Sequence, residues 1–476
     1  MTLSQRAPDD GRDGPQKTAK ETFSGEKPMA STVNAGARLD RLPISSFHYR
    51  IFWLIGAGMF FDGYDLYVGA SVLGAAVQTK FAVLAQVPQF ISWTFVGMTI
   101  GAVVAGFLGD RYGRRFTYQF NLIVFGLASF AAAAAPTMDW LIAARFVMGL
   151  GLGAEIVVGY STMTEFVPPA SRGRWMAFMA FLVVAGFPAT SIISTLVIPS
   201  FGWRPMFVIA GVGALIVWYL RKNLPESPRW LEANGRTAEA EALMQAIERE
   251  ASGGKPLPPP APALPEPQYT FASLFSPALL PRLIVGSVVL ITINTLIFGF
   301  VNWLPTFFGQ QGIGITRSLT YTMVLAGGSL VGCALGAWAA DQFGRKPTII
   351  AASLLSIVAG AIYPYMGEPA LLLGVGFVLI VGIYVLTAVL YGVYTTELFP
   401  TEVRLRANGL CNMLGRGATV VSPFIVLALF QSYGLHGVLG LMIGLLILQI
   451  VVVAIWGIET NRRRLEELQA ASPRTA

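Results

Sequence analysis

Twelve apolar stretches recur along this chain, near residues 49–77, 90–109, 116–135, 139–163, 174–198, 204–221, 281–308, 319–340, 347–365, 370–394, 405–430 and 434–458. A helix of about 20 apolar residues crosses about 30 Å of hydrocarbon, so each stretch is a candidate span. Only 12% of the residues are charged and 54% are hydrophobic, with a mean hydropathy of +0.61. A soluble domain is roughly 25% charged, so a large soluble protein with buried helices is disfavoured. The apolar runs are continuous and do not alternate, which excludes a membrane β-barrel. The expected fold is an all-α membrane protein with twelve transmembrane helices. The 51 glycines suit close packing of such helices in lipid.

Residues 1–48 are polar and hold no apolar segment of signal-peptide type. They are expected to form a disordered tail, with the first span acting as the membrane signal. If both termini face the cytoplasm, the inner segments hold 28 Lys and Arg against 3 outside, Lys80, Arg204 and Arg317. That bias predicts both termini inside. The net charge of +7 therefore reads as a topology signal, with no nucleic-acid partner. Cys333 and Cys411 lie within spans and suggest neither a disulfide framework nor a metal site.

The chain also repeats itself. "GDRYGRRFTY" at 109–118 resembles "ADQFGRKPTI" at 340–349, an offset of 231. "TEFVPPASRGR" at 164–174 resembles "TELFPTEVRLR" at 396–406, an offset of 232. Two motifs at nearly one offset imply two parallel six-helix pseudo-repeat bundles, 49–221 and 281–459. Between them, 222–280 holds short amphipathic helices and the Pro-rich "GGKPLPPPAPALPEPQ", which cannot stay helical. Residues 460–476 form a C-terminal tail.

These features resemble the major facilitator superfamily of secondary transporters, over about residues 48–460. The "GDRYGRR" turn, its echo after the eighth span, and "PESPRWL" at 225–231 carry the resemblance. "PESPRWL" and "TEFVPPASRGR" resemble the sugar-porter and organic-ion branches. The seventh span, "TINTLIFGFVNWLPTFF", lacks the glutamine-rich pattern of sugar porters. "DGYDLY", "GLGLGAE" and "NWLPTFF" look more like proton-linked carriers of aromatic acids, nicotinate-type acids and similar metabolites. The superfamily's two-bundle architecture places substrate near the midplane.

The repeat sorts the charges. Asp110, Arg114, Arg115, Glu165 and Arg174 have counterparts in Asp341, Arg345, Lys346, Glu397 and Arg406. Acids contribute little to orientation, so these sets are expected to act as cytoplasmic gating latches, formed in one conformation and released in another. Asp62, Asp65, Arg145, Glu155 and Arg416 have no charged counterpart. At the 232 offset they meet Asn294, Ile297, Phe377, Thr387 and Val184. Each costs roughly 2.5–3.5 kcal/mol at a span centre, so each marks a substrate or ion route by default.

At about 1.5 Å per residue, Asp62 and Asp65 lie roughly 18 and 22 Å from the inner start of the first span, and Arg145 lies roughly 9 Å from the outer start of the fourth. All three share one level, and residues i and i+3 share a helix face. An Asp–Arg pair facing the central cavity is expected, similar to the coupling pair of proton-linked sugar porters. Two close carboxylates cannot both ionise cheaply in low dielectric. One is expected to stay ionised against Arg145 while the other carries the proton. Glu155, deeper by this measure, is a second proton site, a partner for an inner base, or a packing hydrogen bond. Gly149, Gly151 and Gly153 sit inside a span and read as packing rather than as a phosphate loop.

Arg416 lies near the midplane with no acid at its level in the C-terminal spans. A guanidinium can hold a carboxylate with two hydrogen bonds, so an anionic substrate is favoured. The rival is a pairing with Asp62 or Asp65 across the cavity. Asn294, Tyr64, Tyr160, Phe298, Trp303, Tyr384 and Tyr391 are further candidate contacts. The expected protein is a monomeric inner-membrane symporter of a small organic, aromatic carboxylate with protons, without cofactor or metal. Alternatives are an efflux antiporter, a sugar or organic-cation carrier, or a transporter-like sensor. With two histidines and no catalytic constellation, an enzyme is not expected.

Overall fold

A computed structural model describes residues 33–260, 274–399 and 403–460. The N-terminal segment 1–32, the Pro-rich stretch 261–273, the turn 400–402 and the tail 461–476 lie outside the described residues. The described chain is helical throughout. The first half contains α1 (Ala35–Asp40), α2 (Ser46–Gln78), α3 (Val87–Tyr112), α4 (Arg114–Ala133), α5 (Met138–Phe166), α6 (Pro169–Phe201) and α7 (Arg204–Leu220). Two short helices follow, α8 (Pro228–Ala233) and α9 (Thr237–Ser252). The second half contains α10 (Leu280–Gly299), α11 (Leu304–Gln310), α12 (Ile315–Phe343), α13 (Arg345–Ile362), α14 (Pro369–Val389), the single turn α15 (Thr395–Glu397) and α16 (Arg404–Trp456).

Nine helical segments among the described residues are long and apolar enough to cross a membrane. To these are added α7, which is shorter, and α2, whose buried acids set it apart. The last segment counts twice. Gly434 interrupts α16 with φ 61° and ψ −151°, a conformation open to glycine. Before it, Cys411, Gly415 and Val426 meet Gly286, Leu290 and Gly299, so this stretch runs parallel to α10. After it, Gln449 and Ala454 meet Ser353 and Lys346, so the chain runs back against α13. Twelve crossings result.

The seventh crossing is broken where one continuous helix is expected. α10 ends at Gly299, a short 3-10 turn spans Val301–Trp303, and α11 restarts with Pro305 in its first turn. Proline lacks the N–H that a continuous helix would need there and its ring would clash with the preceding turn. Asn302, in the break, donates to the Leu66 carbonyl of α2 at 3.4 Å.

Glycines set the rotation of the helices. Gly97 and Gly101 of α3 lie against the α5 backbone at Phe146 and Leu150, while Gly149 and Gly153 of α5 lie against Thr94 and Met98. This reciprocal contact gives the "GLGLGAE" glycines their packing role. Gly63 lies against the Val183 carbonyl of α6, where a Cβ has no room. Gly63→Ala is therefore expected to destabilise the protein by about 1–3 kcal/mol. A thermal melt in detergent checks this, and an unchanged midpoint would contradict the packing.

Residues 33–48, expected to be a disordered tail, instead dock on the linker helices. Glu232 accepts from the Asn34 and Ala35 amides at the start of α1, at 2.8 and 2.9 Å. Arg38 pairs with Glu241 and Glu248 at 2.5 and 2.8 Å, and Arg41 with Glu248 at 2.5 Å. The Arg38 guanidinium holds the Glu248 carboxyl below its usual range. This contribution is full above the ordinary glutamate range and fades as pH falls through the lowered value. Acidic α9 complements a basic N-terminal segment, a match between stretches some 200 residues apart.

Candidate functional site

α2 presents Asp62 and Asp65 to α5, which carries Arg145 and Glu155. All four are buried. Arg145 Nη1 donates to Asp65 Oδ2 at 2.6 Å and Nε to Thr94 Oγ1 at 3.3 Å. The guanidinium lies over the Phe90 ring, 5.1 Å from its centroid. Of the two acids considered for Arg145, Asp65 holds it.

Glu155 pairs with Arg221, directly after α7. Arg221, one of the inner charges in the topology count, is fully buried. Its Nε donates to the Leu54 carbonyl at 2.7 Å and Nη2 to the Ile55 carbonyl at 2.8 Å. Gly58 leaves the notch that this pair fills, since a Cβ there would strike both side chains.

Asp62 sits between the two pairs. It is 3% exposed, and its Oδ2 has no hydrogen-bond partner among the described residues. Its charged neighbours are Glu155, Arg221 and Asp65. Tyr160 is half-buried on α5.

In the C-terminal half, Arg416 is half-buried, and its enclosed Nη1 lacks a hydrogen-bond partner among the described residues. Tyr391 lies beside Arg416 and Asn294, within a π-helical turn at Leu390–Tyr394. Such turns insert a residue and recur at functional sites. Asn294 donates to the Leu290 carbonyl at 2.7 Å and packs on Gly415. The rival pairing of Arg416 with Asp62 or Asp65 is not formed.

Aromatic contacts join the halves. Tyr384 donates its hydroxyl to Tyr67 at 2.8 Å. Phe187 stacks between them, 4.7 Å from Tyr67 and 6.0 Å from Tyr384. Phe298 meets Phe95 edge-on at 4.4 Å. A small cavity beside these contacts is lined by Arg145, Thr94, Phe95 and Asn302. Two candidates point elsewhere. Tyr64 donates to the Met206 carbonyl of α7 at 3.2 Å, inside its own bundle. Trp303 is fully buried and stacks on Phe307. Both fill interhelical space because the rotation of α2 and the break before α11 turn them away.

The repeated turns form matching clamps. Arg114 pairs with Asp110 and Glu165, both at 3.1 Å. Arg345 pairs with Asp341 at 3.2 Å and Glu397 at 3.1 Å. Gly113 and Gly344 turn the chain at φ 93° and 99°, freeing the amides that follow. Glu226 accepts from the Arg114 and Arg115 amides at 2.8 and 3.2 Å, and Glu459 from those of Arg345 and Lys346 at 2.9 and 3.0 Å. The Arg115 guanidinium reaches the Lys222 carbonyl at 2.7 Å and Lys346 the Ala454 carbonyl at 2.8 Å. Glu226 and Glu459 were not among the expected residues, although their spacing of 233 nearly matches the repeat. Arg174 and Arg406 are exposed. Arg172, beside Arg174, makes the pair there, with Asp40 at 3.5 Å.

The family described as "Sugar (and other) transporter" matches residues 52–471. The inner membrane metabolite transport protein YdjE of Escherichia coli is 37% identical over 91% of this chain and 98% of its own length. The niacin transporter NiaP of Acinetobacter baylyi is 31% identical over 91% of this chain and 99% of its own. A crystal structure of a D-xylose–proton symporter superposes with a TM-score of 0.69 at 18% identity, covering 87% of this chain and 99% of that one. At that identity the likeness speaks for the fold.

Proposed function

Because this chain belongs to the sugar (and other) transporter family of multi-pass membrane carriers, we propose that it is a proton-coupled symporter of a small aromatic carboxylate. It works by alternating access in the inner membrane with both termini cytoplasmic. One observation carries the substrate class: Arg416 offers an enclosed, unpartnered Nη1 beside Tyr391 and Asn294, where the two halves face each other. A buried guanidinium without a counter-ion is costly, and a bound carboxylate supplies the missing charge and acceptors. The printed name of the NiaP relative, a niacin transporter, supports an aromatic acid. The two buried acids of one helix, Asp62 and Asp65, with Arg145 on a second, support proton coupling, and the repeated clamps around Arg114 and Arg345 support a role as latches of one access state.

The test uses nicotinate and its uncharged amide, nicotinamide, with the purified protein in proteoliposomes. Nicotinate is expected to accumulate against its gradient when the lumen is more alkaline than the medium. Arg416→Gln is expected to weaken nicotinate binding about ten- to a hundredfold, the size of a charged hydrogen bond. The loss for nicotinamide is expected to be at least about tenfold smaller. A screen whose best ligand lacks a carboxylate would remove the anionic reading. Binding without uphill flux would point to a sensor.

A further inference from the structure

We propose that Asp62, rather than either arginine-paired acid, is the residue that takes up and releases the transported proton. This deepens the symporter reading and rests on it. Among the described residues, the buried ionisable acids and arginines of the first six crossings are three carboxylates, Asp62, Asp65 and Glu155, and two guanidiniums, Arg145 and Arg221. The two ion pairs use two of the carboxylates. With all five ionised, one negative charge would remain uncompensated in a desolvated site, which is expensive. A single proton balances the set.

The geometry selects its place. A proton on Asp65, even on its unpartnered Oδ1, would cost Arg145 its counter-charge while Thr94 and the Phe90 ring hold that guanidinium in place. A proton on Glu155, even on its unpartnered Oε2, would cost Arg221 its counter-charge while two α2 carbonyls hold that guanidinium in place. Asp62 can gain or lose a proton without breaking an ion pair. Its surroundings are accounted for on each side. α5 contributes Glu155 and Tyr160, the end of α7 contributes Arg221, and α2 itself contributes Asp65. The α6 stretch packed on Gly63, from Val183 to Gly186, has no titratable group.

In the C-terminal half, Tyr391 lies beside Arg416. An anion arriving at Arg416 adds negative charge to the transport route and so favours a proton on Asp62. Binding of anion and proton would then reinforce each other, a reciprocal coupling.

The full-length protein in detergent can be treated with dicyclohexylcarbodiimide, which modifies protonated buried carboxyls, and mapped by mass spectrometry across pH 5–9. Expected is modification of Asp62 at least about ten times that of Asp65 or Glu155, declining as pH rises, because the other two carboxylates are held in ion pairs with Arg145 and Arg221. Asp62→Asn is expected to remove it and Asp62→Glu to retain it. Preferential modification of Asp65 or Glu155, or of no carboxyl in these crossings, would overturn the assignment. Labelling needs no substrate, so it can succeed even if nicotinate transport fails, and the two failures are told apart.

Discussion

Asp62→Asn is expected to abolish pH-gradient-driven accumulation while leaving the melting midpoint of the purified protein nearly unchanged. A gradient of two pH units at one proton per substrate can hold about a hundredfold accumulation. Without a proton carrier the ratio should fall toward equal concentrations. The stability expectation follows from the structure, because Asp62 takes part in neither buried ion pair. Asparagine preserves the shape and removes only the charge. Asp65→Asn is expected to behave differently. It leaves Arg145, 2% exposed, without its counter-ion, at a cost of about 3–5 kcal/mol. Measuring both melting midpoint and accumulation for the two variants separates a proton carrier from an ion-pair partner. Full accumulation by Asp62→Asn would remove the carrier role, and equal destabilisation of the two would show that Asp62 is paired.

The second large effect concerns Arg221 and Glu155. Glu155→Gln is expected to destabilise the protein by about 3–5 kcal/mol, since it strands a fully buried guanidinium. Arg221→Met is expected to act similarly by stranding the carboxylate. Replacing both residues with apolar side chains of similar volume should recover most of the loss, because no unpaired charge remains. The stability of the double variant relative to the singles is the deciding measurement. Simple addition of the two losses would show that the residues do not act as a pair. Arg221 also ties α2 to the segment that leads into Glu226. Loss of the pair is therefore expected to loosen the clamp at Arg114 and Arg115, seen as faster amide exchange in that turn.

Much of the fold is legible without coordinates. The crossings announce themselves by length of apolar run, the halves by their repeated turns. The pairing level of Asp65 and Arg145 followed from counting rise along two antiparallel helices. The break in the seventh crossing was less visible, although Pro305 was its signal. The clamps were half visible: Arg114, Glu165, Arg345 and Glu397 stood out, but Glu226 and Glu459 lay beyond the motif that was compared. Arg221 was counted only as an inner charge, and its meeting with Glu155 was not legible because it depends on how distant helices pack. Tyr64 was misplaced because it shares its helix with the acids, and the helix turns it toward Met206.

The sequence by itself determined what every segment can be: which stretches cross the membrane, which charges recur in both halves and which stand alone. These are local properties, set by apolar length and by the high cost of charge in hydrocarbon. Only the tertiary structure decided which acid meets which arginine. That depends on how far each helix is rotated about its axis. Here the rotation is set by close backbone contacts between distant segments, Gly63 on Val183 and Gly97 and Gly101 on α5, and by the space Gly58 leaves for the Arg221 and Glu155 side chains. Those contacts turn Asp65 to Arg145 and Glu155 to Arg221, and leave Asp62 between them without a cation of its own.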